Sequence, residues 1–188
     1  MKKYLLTLST ILITSSLILS GCGKETRQTI ESNDDSHTGA AGEMHHSESG
    51  ELPEGLREKN NSTFPVGSQA LMSADHMSGM KGVKAKIVGA YETTVYAVTY
   101  TPTTGGDPVQ NHKWVIHEEI QDPADQPYAA GSEVLLNANH MQGMNGAKAT
   151  IDSAEQATVY MVDYTPTTGG DLIKNHKWVT EEELSAIQ

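Results

Sequence analysis

Along residues 131–188 apolar and polar positions alternate in short runs that glycine and proline interrupt. In "GSEVLLNA" (131–138) Val134 and Leu136 fall on one side of an extended chain, predicting a strand that opens at a turn glycine. "HMQGMNG" (140–146) holds two glycines and predicts a tight loop. "AKATI" (147–151) reads as a second strand. "ATVYMVDYTP" (157–166) is the strongest strand, rich in β-branched and aromatic residues. "TPTTGGD" (165–171) must turn, because Pro166 lacks an amide donor and Gly169-Gly170 permits positive φ. "KNHKWVTEEEL" (174–184) supplies a short strand and a closing helical turn. Helical periodicity is almost absent, so the pattern predicts an all-β chain built of small barrels.

The same pattern occurs earlier. Gly67–Glu119 and Gly131–Glu183 align without gaps at a constant offset of 64, with 32 of 53 positions identical. A duplication within one chain predicts one fold used twice. The spacing resembles SH3-like barrels of the KOW type, in which a glycine-opened strand, a hairpin, a strand, a variable turn and a "VxVxY"-like strand follow one another. That resemblance implies two tandem SH3-like barrels, residues 63–120 and 128–188, joined by the connector "QDPADQP" (121–127). Domains of about 55–65 residues can fold alone.

Upstream the composition changes. Lys2 and Lys3 precede an apolar run from Tyr4 to Leu19 that ends in "LSGC". This is the layout of a secretory signal (1–21) with a lipobox, in which Cys22 is lipidated. The other reading, an uncleaved anchor helix, needs roughly 20 predominantly apolar residues, and this run is shorter. Cys22 is the only cysteine, and lipidation consumes its thiol, which excludes a disulfide, a thiolate metal site and a cysteine nucleophile. Residues 22–62 are poor in aliphatic side chains and rich in Glu, Ser, Asp, Thr and Gly, a composition expected to stay disordered as a tether. Loss of the signal leaves 11 basic against 24 acidic residues. That balance repels nucleic acid, attracts cations and leaves membrane attachment to the N-terminal lipid.

Charge and location give weight to "DHMSGMKG" (75–82) and "NHMQGMNG" (139–146). His76, Met77 and Met80, and again His140, Met141 and Met144, offer one imidazole and two thioethers per loop. Thioether suits copper(I) and imidazole suits both copper states. Zinc recruits Cys, His or carboxylate, and calcium needs dense oxygen ligands. The bland reading stands beside this one: methionine fills irregular core gaps, the histidines hydrogen-bond the loop, and the glycines serve backbone shape. A further Met-His cluster, Met44, His45 and His46, lies in the tether, where no core explains it.

"NHKWV" also occurs twice. His112 and His176 are either additional ligands or braces for the Gly-Gly turn, and Trp114 and Trp178 are expected as core plugs. His117 has Glu181 as its counterpart and cannot belong to a site shared by both copies. Tyr96, Tyr100, Tyr160 and Tyr164 share strand faces, as a ligand surface or as core. No free cysteine, nucleophile elbow or phosphate-cradling glycine loop is present, so catalysis is not expected.

The combined pattern "HMxGMxGAxAxI…TVYxVxYTPTxGGxxxxNHKWVxEEEL", present twice behind a lipobox, resembles the YdhK-type lipoproteins of Gram-positive bacteria. Their tandem domain has no assigned function, and copper-resistance lipoproteins of the CopL type share it. The resemblance implies an outer-surface lipoprotein and carries the ligand role to His76, Met77, Met80, His140, Met141 and Met144. The expected function is a membrane-anchored, extracytoplasmic copper binder that limits entry of the ion. The alternative is a non-catalytic SH3-like module for cell-wall glycan or peptide, with tyrosine and tryptophan as stacking surfaces.

Overall fold

A computed structural model describes residues 49–187. The expected signal segment, Cys22 and the Met44, His45 and His46 cluster lie outside the described residues. The chain is all-β. Its strands are β1 (Arg57–Glu58), β2 (Gln69–Met72), β3 (Lys84–Tyr100), β4 (Val109–Ile116), β5 (Glu133–Leu135), β6 (Lys148–Tyr164), β7 (Ile173–Thr180) and β8 (Leu184–Ser185). Single 3₁₀ turns, His117–Glu119 and Glu181–Glu183, follow β4 and β7.

The two 17-residue strands organise everything else. β3 and β6 pair antiparallel from Lys86 opposite Asp163 to Tyr100 opposite Ala149. Thr93 lies opposite Ala157, its own counterpart in the repeat, so a pseudo-twofold axis passes through that pair. The ladder slips by one residue at Val88 on β3 and at Asp152 on β6, again equivalent positions. β2 and β4 flank the two halves of β3, as β5 and β7 flank those of β6. The sheet runs β5-β6-β3-β2-β8 and is open.

This corrects the expectation of two closed barrels side by side. The variable turn expected between "AKATI" and "ATVYMVDYTP" does not form; both stretches belong to β6, and β3 is equally continuous. The halves of each repeat therefore lie at opposite ends of a long strand, and each lobe is assembled from both repeats. One core joins Ala70, Met72, Met80 and Ile87 to Tyr160, Val162, Tyr164 and Val179. The other joins Tyr96, Val98, Tyr100 and Val115 to Val134, Leu136, Met144 and Ile151. Neither "VGAYE" nor "DSAEQ" holds a turn pair, and cross-pairing with the other copy gives their amides the partners a hairpin would have supplied. The connector 121–127 consequently joins repeats without separating lobes.

A third cluster lies on the opposite face: Tyr91, Val95, Ala97, Trp114, Ile116, Val159, Met161 and Trp178. The C-terminal half of β3 is thus buried on both faces, which explains why "TTVYAVTY" reads as a continuous run. Gly89 makes room for the ring two residues on, since a Cβ there would come within 2.3 Å of the Tyr91 hydroxyl.

The expected disordered tether also ends earlier than residue 62. Arg57 and Glu58 pair with Glu92 and Tyr91 of β3, the Lys59 amide donates to the Ala90 carbonyl at 2.8 Å, and Leu56 packs against the third cluster.

Candidate functional site

Each His-Met loop docks on the other repeat. Gly79 has φ +84°, and a Cβ on it would lie 2.7 Å from Thr168 Oγ1 and 2.9 Å from Pro166 Cβ. Its carbonyl accepts from the Thr167 amide at 3.0 Å. Gly143, at φ +80°, meets Thr104 and Pro102 in the same way, and its carbonyl accepts from the Thr103 amide at 2.9 Å. These glycines satisfy two demands, a left-handed backbone and close approach to the "TPTTGG" turn of the opposite repeat. Met80 and Met144 are fully buried, one in each core. That burial fits the plugs of the bland reading, and Met141 is buried beside Met144 in the second core.

The histidines meet carboxylates from the opposite repeat. His76 Nε2 lies 2.5 Å from Glu183 Oε1. Glu183 Oε2 accepts from Trp114 Nε1 at 3.0 Å, the Thr180 amide at 2.9 Å and Thr180 Oγ1 at 3.0 Å. His140 Nε2 lies 2.6 Å from Glu119 Oε1, while Glu119 Oε2 accepts from Trp178 Nε1 at 2.9 Å and the Ile116 amide at 3.2 Å. Burial pushes the Glu183 carboxyl up, but the His76 partner and the Thr180 and Trp114 donors outweigh it and hold it down at about 2. Nδ1 of His76 and of His140 is buried and has no hydrogen-bond partner among the described residues.

A cavity of about 410 Å³ gathers donors from both copies. His76, Met77 and His112 come from the first repeat, Met141 and His176 from the second. The Tyr164 hydroxyl donates to Met77 Sδ at 3.9 Å, and the Tyr164 ring meets His176 edge-on at 5.6 Å. Tyr100 meets His112 in the same way at 5.8 Å, and the His112 and His140 rings are 6.3 Å apart. Lys113 and Lys177 also line the cavity. Lys113 Nζ sits 4.8 Å over Trp114, and Lys177 donates to the Glu51 carbonyl, with burial lowering its pKa. Among the described residues no three His, Cys, Asp or Glu side chains form a metal-binding group.

A larger cavity, about 680 Å³, lies beside the second loop, lined by Asn139, Met141, Gln142 and Thr103 and bordered by Ser49, Glu51 and Pro53. His140 lines neither cavity.

"NHKWV" proves structural in part. Asn111 and Asn175 adopt φ 49° and 50°, their amides donating to Thr99 Oγ1 and Asp163 Oδ1. The peptide bonds before Trp114 and Trp178 are cis. Both tryptophans and all four paired tyrosines are buried. His117 and Glu181, different residues at one repeat position, each hold a tyrosine hydroxyl, Tyr96 at 2.8 Å and Tyr160 at 2.7 Å.

The sequence reading missed Glu119 and Glu183. The available signal was their retention at the same position in both copies, three residues after the buried strand end, beside neighbours that change from His117 to Glu181.

Comparison with known proteins supports the tandem repeat. The family described as "Protein of unknown function (DUF1541)" matches twice, over residues 66–117 and 130–181. The uncharacterized protein YdhK of Bacillus subtilis is 52% identical over 181 residues, 95% of this chain and 88% of that one. A crystal structure of YdhK superposes with a TM-score of 0.72 at 58% identity, covering 74% of this chain and 95% of that one. The solution structure of its C-terminal domain gives 0.62 at 60% identity, covering 65% and 93%. The chain belongs to the DUF1541 family.

Proposed function

We propose that this DUF1541 protein is an extracytoplasmic lipoprotein, anchored through Cys22, that binds copper as Cu(I), limits its entry and so contributes to copper tolerance, as the resemblance to CopL-type lipoproteins implies. One observation carries the reading: thioethers and imidazoles from both repeats border a single cavity, His76, Met77, His112, Met141 and His176. Soft neutral donors of this kind suit Cu(I), and the acidic balance of the chain attracts cations. The ligand set is accordingly narrower than the loops suggest, without Met80 and Met144, and is shared between the repeats. The glycan-binding alternative is disfavoured because its stacking residues, Trp114, Trp178 and the paired tyrosines, are buried. We infer, too, that each lobe is an SH3-like unit whose central hairpin has opened and exchanged partners. The 3₁₀ turn ahead of the last short strand supports that descent.

The test is a Cu(I) titration of the folded chain against a competing chelator under reducing conditions. One ion per chain is expected, with affinity lost in the Met77→Ala/Met141→Ala double variant. Undiminished binding in that variant would refute the site.

A further inference from the structure

Copper binding at the cavity leaves open which atom of His76 is offered and what selects it. The hydrogen bonds around Glu183 decide this. Its Oε2 faces an indole N–H and a backbone N–H, groups that only donate, and the Thr180 hydroxyl, which can donate beside them. The carboxyl is therefore an acceptor on that side. With the carboxyl ionised, Oε1 is an acceptor too, so the 2.5 Å contact requires His76 Nε2 to carry the proton. In a neutral imidazole the lone pair then resides on Nδ1. That atom is buried and unpartnered among the described residues, on a side chain that is 8% exposed and lines the cavity with Met77 and Met141. Trp114, the other ligand of the carboxylate, meets the His76 ring at 83° and 6.1 Å and so restrains its rotation.

We propose that Glu183 is a positioning residue that, held by Trp114 and the Thr180 amide, fixes His76 in its Nε2-protonated form and presents Nδ1 as the metal-binding atom. The proposal rests on the copper reading. It assigns control of a first-repeat ligand to the last residues of the second repeat, the arrangement by which outer hydrogen bonds orient metal-binding imidazoles. The equivalent pair, Glu119 and His140, provides an internal control, because His140 has the same bonds but borders neither cavity.

Glu183→Gln tests it. The indole and Thr180 N–H groups claim the amide oxygen, which turns the amide NH₂ toward His76 and makes Nε2 the acceptor. The proton then moves to Nδ1 and blocks it. Long-range ¹⁵N–¹H spectra of the metal-free protein, with His76 assigned through His76→Gln, are expected to show the Nε2–H form in the wild type and the Nδ1–H form in Glu183→Gln. Cu(I) affinity should fall roughly 10–100-fold in Glu183→Gln, and much less in Glu119→Gln. An Nδ1–H tautomer in the wild type overturns the proposal, and this readout does not depend on the variant folding. Wild-type affinity in a folded Glu183→Gln protein overturns it as well. No Cu(I) binding by the wild type, with tautomers as expected, overturns the metal reading and the ligand role of Nδ1 while the assignment of the proton stands.

Discussion

The two His-Met loops are nearly the same in sequence and in internal bonding, yet they occupy different surroundings. At the first, the His76 and Glu183 side chains are 8% and 18% exposed and the loop opens on the smaller cavity. At the second, His140 and Glu119 are 3% and 4% exposed, and residues 49–53 border the space beside the loop. The cause lies outside the repeat. Only the first copy is preceded by a segment free to lie over the sheet, and that segment runs past the second loop, tied by Lys177 to the Glu51 carbonyl and by Leu56 to the third cluster. Duplication copies the bonding within a loop; flanking chain decides which copy meets solvent.

The sharpest way to break this comparison is to remove each carboxylate. Glu119→Ala strands His140, the Trp178 indole and the Ile116 amide around a side chain that is 4% exposed and should cost about 3–5 kcal/mol. Glu183→Ala, nearer water, should cost about 1–3 kcal/mol. Urea unfolding of both variants measures the difference, and equal losses would mean that exposure does not separate the two pairs. Gly79→Ala and Gly143→Ala should instead behave alike, each losing about 1–3 kcal/mol, because both force a side chain into a left-handed backbone against a proline and a threonine. A marked inequality would show that one docking contact matters more than the geometry says.

Smaller effects probe position 117/181. Burial, then the Glu181 carboxylate that accepts its proton, pushes the Tyr160 phenol up to about 12. Tyr96, with His117 in place of Glu181, is also raised, again chiefly by burial. A phenol whose folded pKa exceeds its unfolded value contributes stability that is intact below about pH 10 and is lost as pH rises through about 12. Phenolate absorbance followed with pH should show that late ionisation, moved to lower pH by Glu181→Gln. The smallest expected effect is at Lys177. Lys177→Ala should leave stability almost unchanged but speed amide hydrogen exchange at residues 50–52, whereas Lys113→Ala should not.

Much of the fold was legible because alternation and turn residues are local properties. Val134 and Leu136 point inward as their spacing predicts, and Trp114 and Trp178 are buried. The exchange of halves was not legible, since a stretch such as "DSAEQ" accepts either a hairpin or a straight strand, and the choice depends on what the other copy offers. For the same reason Met80 and Met144 could not be told by spacing from Met77 and Met141, which line the cavity shared by the two repeats. The loop histidines were visible, but their carboxylates lie 107 and 21 residues away along the chain.

β2 pairs with β8 through Leu71 opposite Ser185 and Met72 opposite Leu184. A pairing so distant in sequence means that a growing chain holds β2 without this partner until Leu184 and Ser185 have been made, and that folding pays for closing a long loop before this contact forms. Leu184 and Ser185 thus act as a latch. A nonsense codon just before Glu183 would spare most of the sheet yet leave the first lobe ajar and His76 without its proton acceptor.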